Sequence, residues 1–153
     1  MRTSLSRWIT EGTIAPWTWG TSLDAFFAIV PAAKAEIEEQ LQLGYPLVRL
    51  DDVEFYFEGD EFTHLSEVII EAWAINESDK PAYFTYDWIR SGLTFKQVKA
   101  ILENIKLAYE IQRGPLGTSH ILTSTGAFFG FYSDFDTEEE AELAKIYFTN
   151  RAK

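Results

Sequence analysis

A short stretch in the first half of the chain decides the fold class, and it reads Val53-Glu54-Phe55-Tyr56-Phe57-Glu58. Apolar residues at odd positions alternate with charged or amphipathic residues at even positions. Successive side chains of a β-strand point to opposite faces of a sheet, so this period of two predicts a half-buried strand. By the same parity, Asp52 shares a face with Glu54 and Glu58, and the apolar side chains share the opposite face.

Further strands are predicted around this stretch in the first half. Residues 46–51 alternate before a turn at Asp51-Asp52, and residues 58–61 form a second turn. Residues 65–73 are rich in β-branched and aromatic side chains, which favours a third strand. The first half is therefore expected to end in an antiparallel meander.

The second half carries a similar strand pattern. Strands are predicted at 107–112, 120–123 and 127–132, with turns at 114–117 and 124–126 between them. Residues 137–150 suit either a helix or a strand. We favour a strand after an acidic turn, placed by the repeat opposite Val68-Ile69-Ile70.

Three stretches predict helices. Residues 22–30 begin with Ser22, and residues 94–102 begin with Thr94, which Gln97 follows three positions later, as a capping box requires. Both stretches have apolar residues at helical spacing. A third helix is predicted at 31–44, where Pro31 suits the first turn and Gly44 the end.

The two halves of the chain share a short motif. The segments Trp8-Ile9-Thr10-Glu11-Gly12 and Trp88-Ile89-Arg90-Ser91-Gly92 both suit the last turn of a short helix that ends at a left-handed glycine. Thr3 or Ser4 would cap the first helix and Thr85 the second. We therefore predict an α+β fold of two similar halves, 1–79 and 80–153, in one compact unit. Their sheets are expected to join or pack side by side, with helices over one face.

The composition excludes several functional classes. The chain has 153 residues, no Cys and a net charge of −11. It therefore has no disulfide, Cys-ligated zinc, Fe–S cluster or thiol nucleophile. The negative charge argues against nucleic acid or an anionic membrane as the main partner. Residues 1–20 lack the apolar stretch of a signal peptide, and no run reaches the length of a membrane span, so we expect a cytoplasmic protein. The expected oligomeric state is a monomer or a homodimer.

Acidic residues cluster in two stretches. Ten acids and no Lys or Arg lie between Asp51 and Asp79, and six acids lie between Asp134 and Glu142. Acidic turns aid solubility, but a negative face with aromatic neighbours also suits the binding of a basic protein. The residues predicted to bind the partner are Asp52, Glu54, Tyr56, Glu58, Asp60, Glu61, Tyr132, Asp134 and Asp136.

Signals for chemistry are weaker. His64 and His120 each accompany a predicted strand, and either could act as a general base with a neighbouring carboxylate. Residues 114–119 lack the Gly-Lys-Ser/Thr ending of a phosphate loop. The acidic segment from Asp134 has Glu139 and Lys145 where a calcium loop needs Gly and Glu. No cofactor and no metal site are predicted.

One motif carries a resemblance to a known superfamily. The pattern Gly92-x-Thr94-x-x-Gln97-Val98-x-x-Ile101-Leu102, followed by strands, resembles the helix-plus-sheet unit of the β-lactamase inhibitor protein and outer-membrane assembly lipoprotein superfamily. In the inhibitor protein that unit occurs twice. The short, acidic, duplicated form also resembles bacterial toxin-immunity proteins. These resemblances imply a non-enzymatic inhibitor, and no functional residue is carried over because no binding motif aligns.

The leading hypothesis is a non-enzymatic, acidic protein-binding module. It would act as an inhibitor or immunity protein that blocks a basic toxin or enzyme. The alternative is a small-molecule-binding protein or hydrolase with a cleft between the two halves, using His64 or His120 and a carboxylate. A self-associating structural module is a third hypothesis.

Overall fold

The structure is a computed structural model, and it describes residues 2–42, 47–59, 61, 63–115, 118–133 and 135–150. The fold is α+β, as predicted. Its helices are α1 (Leu5–Glu11), α2 (Leu23–Ile29), α3 (Pro31–Gln42) and α4 (Phe95–Asn104). Its strands are β1 (Thr3–Ser4), β2 (Leu47–Leu50), β3 (Val53–Glu58), β4 (His64–Ile70), β5 (Phe84–Thr85), β6 (Tyr109–Arg113), β7 (Ser119–Thr123), β8 (Phe128–Phe131) and β9 (Leu143–Thr149). The predicted helix end at Gly44 and the predicted site residues Asp60 and Asp134 lie outside the described residues.

Seven of the described strands form one antiparallel sheet in the order β2-β3-β4-β9-β8-β7-β6. The meander β2-β3-β4 meets the meander β6-β7-β8-β9 where β4 pairs with β9. The register sets Ile146, Tyr147 and Phe148 opposite Ile70, Ile69 and Val68. The predicted strand within 137–150 is confirmed, and the acidic turn before it is a 3₁₀ turn at Glu138–Glu140. The duplication of 1–79 and 80–153 stays a prediction.

Strand β4 ends at Ile70 and not, as predicted, at Trp73. Beyond it the carbonyl oxygen of Glu71 accepts a hydrogen bond from the Ala74 N–H at 3.0 Å, and Ala72–Ala74 form a 3₁₀ turn. The Trp73 side chain is 53% exposed. The prediction failed here because β propensity reflects the packing of a side chain against neighbours on adjacent strands. The chain leaves the sheet before Trp73, so Trp73 has no such neighbours.

The second Trp-Ile-x-x-Gly segment is not the end of a helix, which corrects the prediction from the repeat. Thr85, the predicted cap, lies in β5 and pairs in parallel with Ser4 of β1. Asp87 adopts a left-handed φ of 57°, and the N–H of Ile89 donates to the carbonyl of Tyr86 at 2.9 Å. Residues 86–89 therefore form a turn. A shared local sequence was overridden here by the strand pairing next to it.

The predicted polar caps are confirmed for two helices. The hydroxyl of Ser22 accepts the N–H of Ala25 at the start of α2. At α4, the Thr94 hydroxyl accepts the N–H of Gln97, and the Gln97 side chain accepts the N–H of Thr94 at 2.9 Å. Within the described ranges, no helix combines the length and the apolar character needed to cross a membrane.

Helix α1 ends at Gly12, as predicted. Gly12 has a φ of 68°, and a Cβ atom there would lie 2.8 Å from the carbonyl oxygen of Thr125. The Thr125 hydroxyl also donates to the carbonyl of Ile9. Glycine is therefore required both by the left-handed conformation and by the close approach of α1 to the turn between β7 and β8.

An aromatic cluster packs one face of the sheet against the helices. Trp8 of α1 is 1% exposed, and its ring lies 5.4 Å from Phe84, 5.9 Å from Phe148 and 6.3 Å from Phe55, in edge-to-face geometry. Its indole N–H donates to the carbonyl of Ala15 at 2.8 Å. Trp8 thus contacts β3, β5 and β9 at once.

The opposite face of the sheet carries a different set of side chains, and we call it the open face. The predicted alternation in β3 is confirmed: Val53, Phe55 and Phe57 are buried in the core, whereas Glu54 and Tyr56 are half-buried on the open face. The same parity places residues from β4, β7, β8 and β9 beside them. Among the described residues, one face of the sheet therefore lies in the core, and the other carries a mixture of buried and half-buried side chains.

Replacing Trp8 by Ala should destabilise the protein by about 4 kcal/mol, because it leaves a cavity between α1 and three strands. Trp8→Phe should cost clearly less, and Tyr132→Ala, at a side chain that is 42% exposed, about 1 kcal/mol or less. Urea unfolding at one fixed temperature measures the free energy of unfolding of all three variants. Equal losses for Trp8→Ala and Tyr132→Ala would contradict the role of Trp8.

Candidate functional site

A row of apolar side chains crosses the open face. Strand pairing sets Ile69 of β4 beside Tyr147 of β9, Tyr147 beside Phe128 of β8, and Phe128 beside Leu122 of β7. The Ile69 side chain is only 6% exposed although it lies outside the main core cluster. The row therefore forms a second, smaller apolar layer on the solvent side of the sheet.

A hollow of about 520 Å³ lies over this row. Its floor includes Gly130 of β8, which stands between Lys145 of β9 and His120 of β7 in the next row of the sheet. A Cβ atom at Gly130 would lie 3.3 Å from the Tyr147 ring and 3.9 Å from Nδ1 of His120. The absence of a side chain at Gly130 therefore lets the Tyr147 ring lie close over the strand at this point.

His120 borders the hollow with an unused hydrogen-bonding atom. Its ring lies 4.8 Å from the Phe128 ring at an angle of 30°. Its Nδ1 atom is buried and has no hydrogen-bond partner among the described residues. Leaving such an atom unpaired costs free energy, and because it is closed to solvent, a group in the hollow does not reach it in this conformation.

A pair of carboxyl groups lies at the β3 end of the same face. Glu54 and Glu71 are hydrogen-bonded to each other, and Glu71 is 4% exposed. Burial, the hydrogen bond and the charge of Glu71 raise the pKa of Glu54 to about 7. Burial also acts on Glu71, but hydrogen bonds from Glu54 and Trp73, together with Lys145, keep its pKa below the ordinary value. The two groups therefore share one proton near neutral pH.

Positive charges from distant segments complete this network. Trp73 Nε1 donates to Glu71 at 2.6 Å, and Lys145 Nζ lies 3.4 Å from the same carboxylate. Arg49 lies 3.6 Å from Glu54. The acidic stretch that has no base in sequence thus obtains two compensating cations from β2 and β9.

Three predicted site residues, Glu54, Tyr56 and Glu58, lie together on the open face of β3. The Tyr56 hydroxyl donates to Glu54 at 3.1 Å, and burial next to Glu54 raises the pKa of Tyr56 to about 12. Tyr56 and Glu58 line a second hollow of about 400 Å³, which shares Glu67 and Thr149 with the first. Glu54, Tyr56 and Glu58 therefore lie next to the first hollow, the one over Gly130, but do not form part of its lining.

The remaining predicted site residues lie elsewhere. The Asp52 carboxylate accepts a hydrogen bond from Tyr86 at 2.7 Å and pairs with Arg49, so it is used within the protein. Glu61 lies exposed in the turn after β3. Tyr132 and Asp136 line a separate hollow that also contains Arg113 and Glu138. The structure does not bring these two residues into the hollows of the open face.

His64, the other histidine considered for chemistry, is half-exposed at the start of β4. Its Nε2 atom lies 3.3 Å from Glu58, and its Nδ1 atom lies 3.0 Å from the Thr63 hydroxyl. Within the ranges that the structure describes, no group of three or more acidic or histidine side chains could hold a metal ion. His64 therefore has local partners, in contrast to His120.

The central residues of the hollow were not singled out by sequence reasoning, apart from His120. The sequence alone does not tell whether Leu122, Phe128 and Tyr147 face the core or the surface. One signal was available: a glycine inside a strand, here Gly130, often marks close approach of another group.

Replacing Glu54 by Gln should flatten the dependence of stability on pH. The raised pKa of Glu54 means that its stabilising contribution is complete below about pH 4.5 and is lost as the pH rises through about 7. Glu71, with its lowered pKa, acts oppositely and loses its contribution only as the pH falls below 4.5. As the pH rises from 5.5 to 8.5, the free energy of unfolding of the natural protein, measured with urea, should fall by about 2 kcal/mol.

The Glu54→Gln variant should lose much less over that range, because the amide can still donate to Glu71 but does not titrate. The exposed Glu77→Gln is the matched control and should keep the natural pH dependence. A Glu54→Gln profile that follows the natural protein would contradict the shared proton.

Comparisons of this chain with protein-family models, with curated proteins and with solved structures found no match. The resemblance to the β-lactamase inhibitor superfamily and to toxin-immunity proteins stays a prediction. The function is therefore inferred from the geometry and charge of the open face.

Proposed function

We propose that the chain is a non-enzymatic protein-binding module that docks a basic partner on its open face, as an inhibitor or immunity protein does. The observation that carries this proposal is the combination on one face of an apolar row with acidic side chains beside it. Interfaces commonly join apolar anchors in the centre to polar groups at the rim. The resemblance to inhibitor and immunity proteins supports the same class.

The charge of the face favours a basic partner. Glu67 lies between the two hollows, and among the described residues it has no ion-pair partner. Lys145, the nearby cation, lies 3.4 Å from the Glu71 carboxylate, so its charge is largely balanced. The net charge of −11 extends this negative potential beyond the site and would speed the encounter with a basic protein.

A hydrolase is the rival function, because Glu54 titrates near pH 7 and His120 has an unused nitrogen. These residues lie on β3 and β7, however, and β4, β9 and β8 separate the two strands. Four inter-strand spacings correspond to about 19 Å. General acid–base partners need to reach one substrate bond together, so this separation argues against a site that joins Glu54 to His120. His64 does pair with Glu58 at 3.3 Å, but both side chains are open to solvent and lack the burial that tunes a catalytic pair.

Neutralising two carboxylates on this face should weaken partner binding. We expect Glu58→Gln combined with Glu67→Gln to raise Kd about tenfold or more and to reduce its salt dependence. The matched control, Asp24→Asn with Glu77→Gln, removes the same charge from exposed positions elsewhere and should bind like the natural protein.

The measurement starts with affinity capture from the native host by the natural protein and both variants, followed by elution at high salt. A captured basic protein is then purified, and the binary affinity is measured by calorimetry at two salt concentrations. Loss of affinity in the face variant alone supports the proposal. Equal affinity of both variants for the purified partner would overturn it.

A further inference from the structure

Strand β6 is the last strand of the sheet, and among the described residues β7 is its one strand neighbour. At one end of their ladder, the N–H of Ser124 donates to the carbonyl of Ala108 at 2.8 Å. At the other end, the N–H of Gly114 donates to the carbonyl of Thr118 at 2.9 Å. Opposed residues of an antiparallel ladder alternate between bonded and non-bonded pairs. The even-numbered residues of β6 therefore bond to β7, and the backbone N–H and C=O groups of the odd-numbered residues point outward.

The outward backbone groups belong to Tyr109, Ile111 and Arg113. No other described residue forms a backbone hydrogen bond with them. The strand contains neither Pro nor Lys, and its ladder with β7 runs without a bulge, so three common protections of a free edge are absent. Such an edge is completed by another extended chain, because only a strand can bond to all of these groups in sequence.

The side chains of β6 fit a second copy of the same strand. In a twofold antiparallel pairing centred on Ile111, Tyr109 lies opposite Arg113 of the second copy, and Ile111 lies opposite itself. Each of these outward pairs exchanges two hydrogen bonds. On the open face, the same register sets Glu110 opposite Gln112 of the second copy. An amide donates to a carboxylate, and a guanidinium stacks on a phenol ring, so the cross-strand pairs are favourable.

Neighbouring registers lack this fit. A pairing centred on Glu110 would set two carboxylates directly opposite each other, which is destabilising. A pairing centred on Gln112 would set Tyr109 opposite Pro115, which has no N–H to donate. The register centred on Ile111 therefore uses the whole strand without opposing like charges.

The net charge of −11 opposes this pairing only weakly. Most acids of the stretch 51–79 lie on or next to β3 and β4, and four inter-strand spacings, or about 19 Å, separate β4 from β6. This distance exceeds the Debye length of about 8 Å at physiological ionic strength. Nearer to β6, Arg113 pairs with Glu138 at 3.0 Å and Lys99 with Glu139 at 2.9 Å, so these acids are balanced.

We propose that the free edge of β6 pairs with β6 of a second copy of this chain, centred on Ile111, so that two sheets become one continuous antiparallel sheet. The twofold axis is perpendicular to that sheet, so both open faces stay uncovered and lie on the same side. The homodimer is therefore independent of the proposed function. The contact is small, and we expect a dissociation constant of the order of 100 µM.

The first test is sedimentation of the full chain from about 10 to about 500 µM, a range that spans the expected dissociation constant. Gln112→Glu sets like charges against Glu110 twice in the dimer and should raise the dissociation constant about fivefold. Gln112→Lys sets opposite charges there and should lower it by about the same factor. The matched controls Thr10→Glu and Thr10→Lys change the charge at an exposed position of α1 and should associate like the natural protein.

Amide hydrogen exchange, followed by NMR in dilute and concentrated samples, locates the contact. The Ile111 N–H points outward, so it should exchange readily in the dilute sample and slow about fivefold or more in the concentrated one. The neighbouring Gln112 N–H already bonds to β7 and should exchange equally slowly in both samples. Ile111 and Gln112 thus form an internal pair that distinguishes the β6 edge from any other contact.

Concentration-dependent dimers that respond to both Gln112 variants and slow the exchange of the Ile111 N–H support the proposal. A chain that stays monomeric over the whole range would overturn it and leave the edge to a strand of another protein. A dimer that ignores the charge at position 112, or that leaves the Ile111 N–H exchange unchanged, would also overturn it, because the contact then lies elsewhere.

Discussion

The pairing of β4 with β9 is the constraint on which the rest of the structure depends. It joins two meanders into one sheet and sets the register between them, with Ile69 opposite Tyr147. A shift of one residue in this ladder would turn every side chain of one meander to the other face. The apolar row, the contact between Lys145 and Glu71 and the hollow over Gly130 all span strands that this pairing brings together.

The two faces of this sheet are stabilised differently. On one face, Trp8 and its aromatic neighbours bury the helices against the strands, and dispersion and the hydrophobic effect dominate there. On the open face, a thin apolar row lies next to a carboxyl pair that is kept in place by Trp73 and Lys145. A buried carboxylate costs free energy, so a network of this kind has to be well paired to persist. Such a face can exchange solvent for a partner without disturbing the main core.

Sequence patterns predicted most of the local structure, because local rules control it. The alternation in 53–58 assigned each side chain to its face, and the caps at Ser22 and Thr94 marked two helix starts. Predictions failed where pairing between distant segments overrides the local sequence preference. Thr85 joins a parallel ladder instead of capping a helix, and Trp73 leaves the sheet. The site was only partly predictable for the same reason: Arg49 and Lys145 reach the acidic stretch through the fold, not through proximity in the chain.

The most direct measurement of the one-sided sheet is solvent paramagnetic relaxation of methyl groups by a neutral nitroxide. Leu122 and Ile121 are neighbours in β7 and point to opposite faces, so they form an internal pair. The account predicts strong relaxation of the Leu122 methyl groups and almost none at Ile121, which is 0% exposed. Equal protection of both residues would show that another segment covers the open face, and that would contradict the account.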